Sequence, residues 1–169
     1  MAYDAFMWLE GGDPAVKGET KDHVYAAKNA FEIFSFSMGA SNPATIGSAS
    51  GGAGGGKVNI SSFNIMKKMD SASAGLFVNC CKGQHFDKGH VVIRKAGGSA
   101  VEYIHYDFEE VFAESVQWSG SSGGDDMPAE SVSFAFGKID YKYTPQKEKG
   151  GSGTPIPATW DLRINKGDK

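Results

Sequence analysis

The sequence predicts a mainly β protein that folds as one small barrel or orthogonal sandwich, with a single short helix beside it. Three observations support this prediction. Apolar residues recur with a period of two over most of the chain, glycine clusters in three loop-forming stretches, and only one segment has helical spacing. A length of 169 residues fits one domain, residues 1–169, with a single hydrophobic core.

Alternating segments indicate seven or eight strands. From Phe34 to Met38 the apolar residues take one face and two serines take the other, as in a half-buried strand. The segment 91–94 alternates in the same way, and 101–118 is rich in β-branched and aromatic residues. Near the end of the chain, Trp160, Leu162 and Ile164 alternate with charged residues, which predicts a last strand.

One of these strands changes phase. Its apolar residues occupy even positions from Val132 to Phe136 and odd positions from Ile139 to Tyr143. One extra residue at Gly137-Lys138 would keep both halves facing a core, so we predict a β-bulge that bends the strand there. Bent strands of this kind turn the corners of barrels and orthogonal sandwiches.

The single helix is predicted between Asp70 and Gly83. Asp70 can cap its first turn, and Gly83 can end it in the left-handed conformation. Between them lies an apolar stripe at helical spacing, formed by Leu76, Phe77, Cys80 and Cys81.

Charge and cysteine content exclude several functions and suggest a compartment. The chain has 17 Lys and Arg against 20 Asp and Glu, without the dense basic face of a nucleic-acid or membrane-surface binder. Cys80 and Cys81 are adjacent, which disfavours a disulfide between them and suits folding in the cytosol. The start of the chain does not resemble a signal peptide, and no apolar stretch is long enough to span a bilayer. Any export would therefore use a machine that accepts folded cargo.

Two motifs that could carry chemistry are better explained without it. Gly51 to Lys57 approaches a phosphate-binding loop, but Val58 replaces the magnesium-binding hydroxyl and a strand follows where a helix is needed. Cys80, Cys81, His85 and His90 are possible zinc ligands, but adjacent cysteines on a helix point about 100° apart. We therefore expect no catalytic residues, no metal site and no cofactor.

Ordered motifs along nearly the whole chain resemble the Hcp (haemolysin-coregulated protein) family. The opening Ala2-Tyr3-Asp4-Ala5-Phe6 with the later Lys17-Gly18-Glu19 resembles the family's first strand and turn. Phe34 to Gly39 resembles the strand that enters a long glycine-rich loop, and Gly55 to Asn59 resembles the exit of that loop. The remaining matches are the helix with His85 after it, Ile93 to Gly98 with Val101-Glu102-Tyr103, Phe134 to Phe136, Asp140-Tyr141 with Pro145-Gln146, and Trp160 to Arg163.

The resemblance implies a small β-barrel of two sheets with one flanking α-helix, six copies of which close into a ring. Such rings stack into the inner tube of a bacterial type VI secretion system, and they carry small protein effectors in the lumen. The implied partners are other copies of the chain, the contractile sheath and the spike, with no nucleic acid and no membrane insertion. Assembly is expected in the bacterial cytoplasm, followed by secretion to the exterior or into a target cell.

Two sets of residues are singled out on this basis. Ser35 and Ser37, with Asn59 and Ser61 from the neighbouring strand, are expected to face the lumen and its cargo, unless they are ordinary solvent-facing positions. The glycine-rich loop 47–56 is expected to connect stacked rings. Its proposed contact residues are Gly47, Ser50, Gly51, Gly52, Gly54, Gly55 and Gly56.

Two alternatives stay open at the level of sequence. One is a monomeric β-barrel or sandwich that binds a small ligand or glycan. The other is an enzyme that uses the Cys80, Cys81, His85 and His90 cluster. Light scattering separates the first from a ring, and metal content or loss of an activity in Cys80→Ser identifies the second.

Overall fold

A computed structural model of the chain describes residues 3–45, 54–95, 101–124, 126–148 and 150–168. One α-helix, α1 (Ser71–Lys82), and a short 3-10 turn (Ala26–Lys28) occur in these segments. The strands are β1 (Tyr3–Gly11), β2 (Phe31–Glu32), β3 (Ser35–Ser37), β4 (Ala40–Ser41), β5 (Ala44–Thr45), β6 (Gly54–Gly55), β7 (Asn59–Ile60), β8 (Phe63–Lys68), β9 (His85–Lys95), β10 (Glu102–Ser119), β11 (Ala129–Tyr143), β12 (Ile156–Asp161) and β13 (Lys166–Asp168).

An antiparallel sheet in the order β13-β12-β11-β10-β9-β1-β2 forms most of the molecule, with β8 on β11 and β3 on β8. The segment 31–37 connects its two sides, because β2 pairs with β1 and β3 pairs with β8. At this corner the Ile33 amide donates to Ala5 O (3.0 Å) and the Phe34 amide donates to Met66 O (2.8 Å). The predicted mainly β fold is confirmed, although the strand ladder is interrupted at this corner and the sheets do not close continuously.

Aromatic and aliphatic side chains from every wall of the barrel meet in one core. Completely buried members include Met7, Phe31, Phe63, Phe86 and Val132. Full burial of side chains of this size contributes about 1.5–3 kcal/mol each, so this core is the main source of stability. A smaller cluster outside the barrel packs Tyr25 and Ala30 on the back of Phe6 and Val92, which explains why both faces of β9 are buried there.

The phase change predicted at Gly137-Lys138 is present, but a β-bulge between β10 and β11 is not its cause. The pairing of β10 with β11 stays in register from Glu109↔Lys138 to Val111↔Phe136. Both strands change which alternate residues face the core at this point, so neither strand contains an extra residue there. Glu110 takes a positive φ of 55° there. The inward-facing side chains therefore change from one set of alternate positions to the other along a line that crosses β9, β10 and β11. The buried residues that flank it are Phe136 and Ile139 in β11, Phe108 and Val111 in β10, and Phe86 and Gly89 in β9.

Helix α1 lies across one end of the barrel and has the two predicted caps. Asp70 accepts from the Ala72 amide (2.9 Å), and Gly83 ends the helix with a φ of 61°. The predicted stripe is only half right: Leu76 is fully buried and Cys80 packs against the core, whereas Phe77 and Cys81 are exposed. Polar Ser73 and Asn79 occupy the buried face in their place, because Ser73 donates to Glu130 of β11 and Asn79 bonds to the backbone of the loop that follows β1.

Two predicted strands differ from the structure in phase or length. Phe34 is 52% exposed, because the inward positions shift from Ile33 to Phe36 where the chain passes from β1 to β8. The last predicted strand ends at Asp161, and residues 162–165 form the turn to β13, which leaves Ile164 exposed. Both differences arise at corners, which a local alternation pattern does not reveal.

Candidate assembly surfaces

A long hairpin arm extends from the barrel wall. It begins with β3 against β8 and continues through β4 with β7 and β5 with β6. Between these short ladders the Gly39 amide donates to Ser61 Oγ (2.8 Å), the Ser61 amide donates to Gly39 O (2.9 Å), and the Gly56 amide donates to Pro43 O (2.8 Å). Residues 39–44 and 55–57 are exposed, so this arm offers its edges and both faces to other molecules.

The described end of the glycine-rich stretch predicted as a stacking loop, Gly54 to Gly56, belongs to this arm. Gly54 and Gly55 form β6 and are therefore strand residues, in contrast to the predicted loop, and Gly56 follows directly. Gly47, Ser50, Gly51 and Gly52 lie outside the described residues. The helix that a phosphate-binding loop requires does not follow here, because β7 and β8 come next and α1 begins only at Ser71.

Beside the arm, the outward face of β3, β8, β11 and β10 carries two rows of uncharged and mostly small polar side chains. Ser37 lies opposite Asn64, which lies opposite Ser133, which in turn lies opposite Ser115. The second row contains Ser35, Met66, Ser131 and Gln117. We call these eight residues the small-polar wall after its five serines and Asn64; none of the eight is charged, and Met66 is its one apolar member, 47% exposed.

Ser35 and Ser37 are exposed on this wall, as expected, but their neighbours are not those predicted. Asn59 and Ser61 are exposed further out on the arm, and Asn59 pairs with Ser41 of β4. The strand segment that faces β3 is residues 64–66. Within the wall, Ser133 Oγ donates to Asn64 Oδ1 (2.5 Å), which fixes the orientation of the Asn64 amide.

A second outward surface, which crosses β1, β9, β10, β11 and β12, is charged instead. One row across five strands alternates in sign, running from Glu10 through Lys88, Glu109 and Lys138 to Asp161. Glu109 accepts from Lys138 Nζ (3.1 Å), and this hydrogen bond raises the pKa of Lys138. Each charged side chain in the row has a neighbour of opposite charge, so most of the charge on this surface is balanced within the subunit.

Arg163 adds ion pairs and His90 adds hydrogen bonds on this charged surface. Arg163 reaches Asp161 (2.7 Å) and Glu109 (3.2 Å), and its hydrogen bond lowers the pKa of Asp161 to about 2. His90 Nδ1 lies 2.6 Å from Asp107 Oδ1, and this hydrogen bond is the largest cause of the lowered pKa of Asp107. The His90 ring also stacks on Trp8, with 4.9 Å between ring centroids.

The four possible zinc ligands named from the sequence are not brought together. His90 contacts Trp8 and Asp107, His85 lies beside Phe112, and Cys81 is exposed. Within the described segments no group of three or more His, Cys, Asp or Glu side chains is placed to hold a metal ion. No helix in these segments is long and apolar enough to cross a membrane.

Comparison with known proteins identifies the family to which these surfaces belong. The family model described as "Type VI secretion system effector, Hcp" matches residues 6–143, which is most of the chain. The chain belongs to the Hcp family. The resemblance inferred from its ordered motifs is confirmed, and this Hcp chain is a tube protein of type VI secretion and not a free-standing ligand-binding module.

Individual Hcp relatives support the same assignment. Protein hcp1 of Pseudomonas aeruginosa is 36% identical over 111 residues, which cover 64% of this chain and 68% of that protein. A solved structure described as a type six secretion system protein superimposes with a TM-score of 0.90 at 33% identity and covers 99% of this chain and 100% of its own. Hcp1 from Salmonella typhimurium gives a TM-score of 0.78 at 29% identity, with coverage of 99% and 100%.

Two features of this Hcp chain were not found from its sequence. Asn64, Ser131 and Ser133 belong to the small-polar wall, and only their alternation with buried residues in β8 and β11 could have indicated it. Lys67 and Glu130 are fully buried and form a 2.9 Å ion pair beneath α1. Two charged residues 63 positions apart give no local signal that they meet inside the protein.

Proposed function

We propose that six copies of this Hcp chain close into a ring whose lumen is lined by the small-polar wall. The supporting observation is the contrast between the two outward faces of the barrel. One carries eight small or uncharged side chains in two rows, and the other carries alternating charges that neutralise one another. Six of the eight wall side chains are small and uncharged, five serines and Asn64, with Met66 and Gln117 as the two longer members, which leaves space for folded protein cargo of different surface chemistry.

The hairpin arm is proposed to connect one ring with the next. Its short strands have free backbone edges, which pair readily with another chain. A ring also requires each subunit to offer two different surfaces that fit together around the axis. The arm and the charged face provide two surfaces of different chemistry.

The partners and route follow from the tube assignment. We propose that stacked rings lie inside the contractile sheath, meet the spike at one end and hold small effectors in the lumen. The tube is assembled in the bacterial cytoplasm and then leaves the cell as a secreted component, without a catalytic role. Asn59 and Ser61 are assigned to the arm and its contacts with the next ring, whereas Ser35 and Ser37 are assigned to the lumen.

Native mass spectrometry at micromolar concentration tests the ring. The expected species has six times the 18.0 kDa mass of the chain. A monomer under mild salt would contradict the proposal.

Ser37→Gln tests the lumen assignment. The position is exposed, so stability should change by no more than about 0.5 kcal/mol and rings should still form. The longer amide side chain would project into the lumen, and export of a lumen-carried effector should fall. Lys57→Gln, at an exposed position of the arm, is the matched control and should leave effector loading unchanged. Normal loading in Ser37→Gln rings would show that this face does not meet cargo.

Deleting residues 50–53 tests the arm. These residues lie between β5 and β6, so subunit folding and single rings should persist while stacking and secretion decrease. Tight ATP binding by the intact protein, lost in Lys57→Ala, would instead favour a nucleotide loop.

A further inference from the structure

The barrel has one closed end and one open end. Helix α1 covers the end where β9 and β11 begin. At the other end, where these strands finish, a cavity of about 270 Å³ opens between β1, β9, β10 and β11. The mouth of a β-barrel is a common place for a ligand site, and this volume is close to the lower limit of about 300 Å³ for such pockets. The residues that line it are Tyr3, Lys95, Val101, Tyr103, Tyr143, Thr144 and Gln146.

The strand residues at this mouth lie on the faces that turn toward the barrel interior, and Tyr3 (42% exposed) and Tyr143 (39% exposed) are open to solvent there. Tyr3 shares its face of β1 with buried Ala5 and Met7, and Lys95 shares its face of β9 with buried Ile93. The three tyrosines therefore continue the inner surface of the barrel beyond its core. Tyr103 packs on that core, and burial together with the nearby phenols of Tyr3 and Tyr143 raises its pKa.

Several polar groups at the mouth have no protein partner in the described part of the chain, whereas the Tyr3 hydroxyl donates to Phe34 O (3.5 Å). Among the described residues, the half-buried Lys95 ammonium makes no ion pair and no side-chain hydrogen bond, and the hydroxyls of Tyr103 and Tyr143 are not hydrogen-bonded to protein either. No carboxylate is among the described residues that line the cavity. The mouth thus combines aromatic walls with an unpaired cation, two free hydroxyl donors and the Gln146 amide.

We propose that this mouth is a binding site for a small organic anion that joins a flat aromatic ring to a carboxylate. The ring would pack against the tyrosine rings in offset or edge-to-face geometry. The carboxylate would accept from Lys95 and from the phenol hydroxyls, in charge-assisted hydrogen bonds. The site is independent of the lumen and the arm, because none of its residues belongs to the small-polar wall or to the hairpin.

Calorimetric titration of the full chain with benzoate tests the site, with acetate and benzyl alcohol as probes that lack the ring or the charge. Benzoate should bind with a Kd on the order of 1–10 mM, as for a small fragment. Each of the other two probes should bind at least about tenfold more weakly. The same titration on assembled rings shows whether the mouth stays open there, and it should give the same ranking.

Lys95→Met and Tyr103→Phe assign the binding to the mouth, because each removes one polar group and keeps the side-chain body. Both should weaken benzoate several-fold. Lys142→Met, an exposed lysine of β11 outside the cavity, should not. Circular dichroism checks that the variants fold. If Lys95→Met does not fold, Tyr103→Phe still tests the site. Equal binding of acetate and benzoate, absent binding at about 20 mM benzoate, or equal loss in Lys142→Met would each overturn the proposal.

Discussion

Replacing Lys67 by methionine tests the buried ion pair that holds α1 on the barrel. Lys67 Nζ lies 2.9 Å from Glu130 Oε2 and 2.6 Å from Asp70 Oδ1, and the side chains of Lys67 and Glu130 are 0% exposed. Methionine fills nearly the same volume, so the change mainly removes charge. Glu130 would keep only Ser73 Oγ (2.8 Å) and Trp118 Nε1 (2.8 Å) as donors. Breaking one partner of a buried pair typically costs about 3–5 kcal/mol, and we expect a loss in this range.

Equilibrium unfolding in urea measures this loss. With a slope of about 2 kcal/mol per molar, the midpoint should fall by about 1.5–2.5 M. Because assembly itself stabilises the folded subunit, wild type and variant must be compared at one protein concentration.

The double variant Lys67→Met with Glu130→Met is the matched control, since it removes both charges. Apolar replacement of a whole buried pair is often close to neutral, so most of the lost stability should return. Ser73 still accepts the Asp70 amide (3.0 Å), and Trp118 is 47% exposed and can bond to water. A single variant within about 1 kcal/mol of wild type, or a double variant as unstable as the single, would refute this account of the pair.

Two further predictions concern backbone space and acid stability. Gly18→Ala should lower the free energy of unfolding by about 1–3 kcal/mol, because its Cβ would lie 2.2 Å from the carbonyl oxygen of Ala30. The control Gly39→Ala, whose Cβ would have nothing within 4 Å, should be neutral or slightly stabilising in thermal unfolding. The hydrogen bond from His90 holds the pKa of Asp107 below its ordinary 3.8, so this carboxylate stabilises the fold above that pH and the contribution disappears as the pH falls through the lowered pKa. Asp107→Asn should therefore differ from wild type more at about pH 5 than at about pH 3, and an equal difference at both pH values would contradict the assignment.

Local chemistry determined the parts of the fold that depend on neighbouring residues. Asp70 and Gly83 predicted both ends of α1, because capping involves only a few consecutive residues. Alternation placed Ser35 and Ser37 on an outward face for the same reason. Where the chain turns a corner, local alternation failed: Phe34 is exposed although it has the pattern of a core residue.

The tertiary structure alone decided which distant residues meet. Strand register aligned Ser37 with Asn64 and Ser133, and it placed Lys67 directly opposite Glu130. Register depends on how whole strands bury their apolar faces, so it is a property of the complete sheet and not of any short segment. The sequence by itself therefore determined the β-rich class, the helix and the family, whereas the small-polar wall, the ionic contact beneath α1 and the open tyrosine mouth required strands far apart in the chain to be brought side by side.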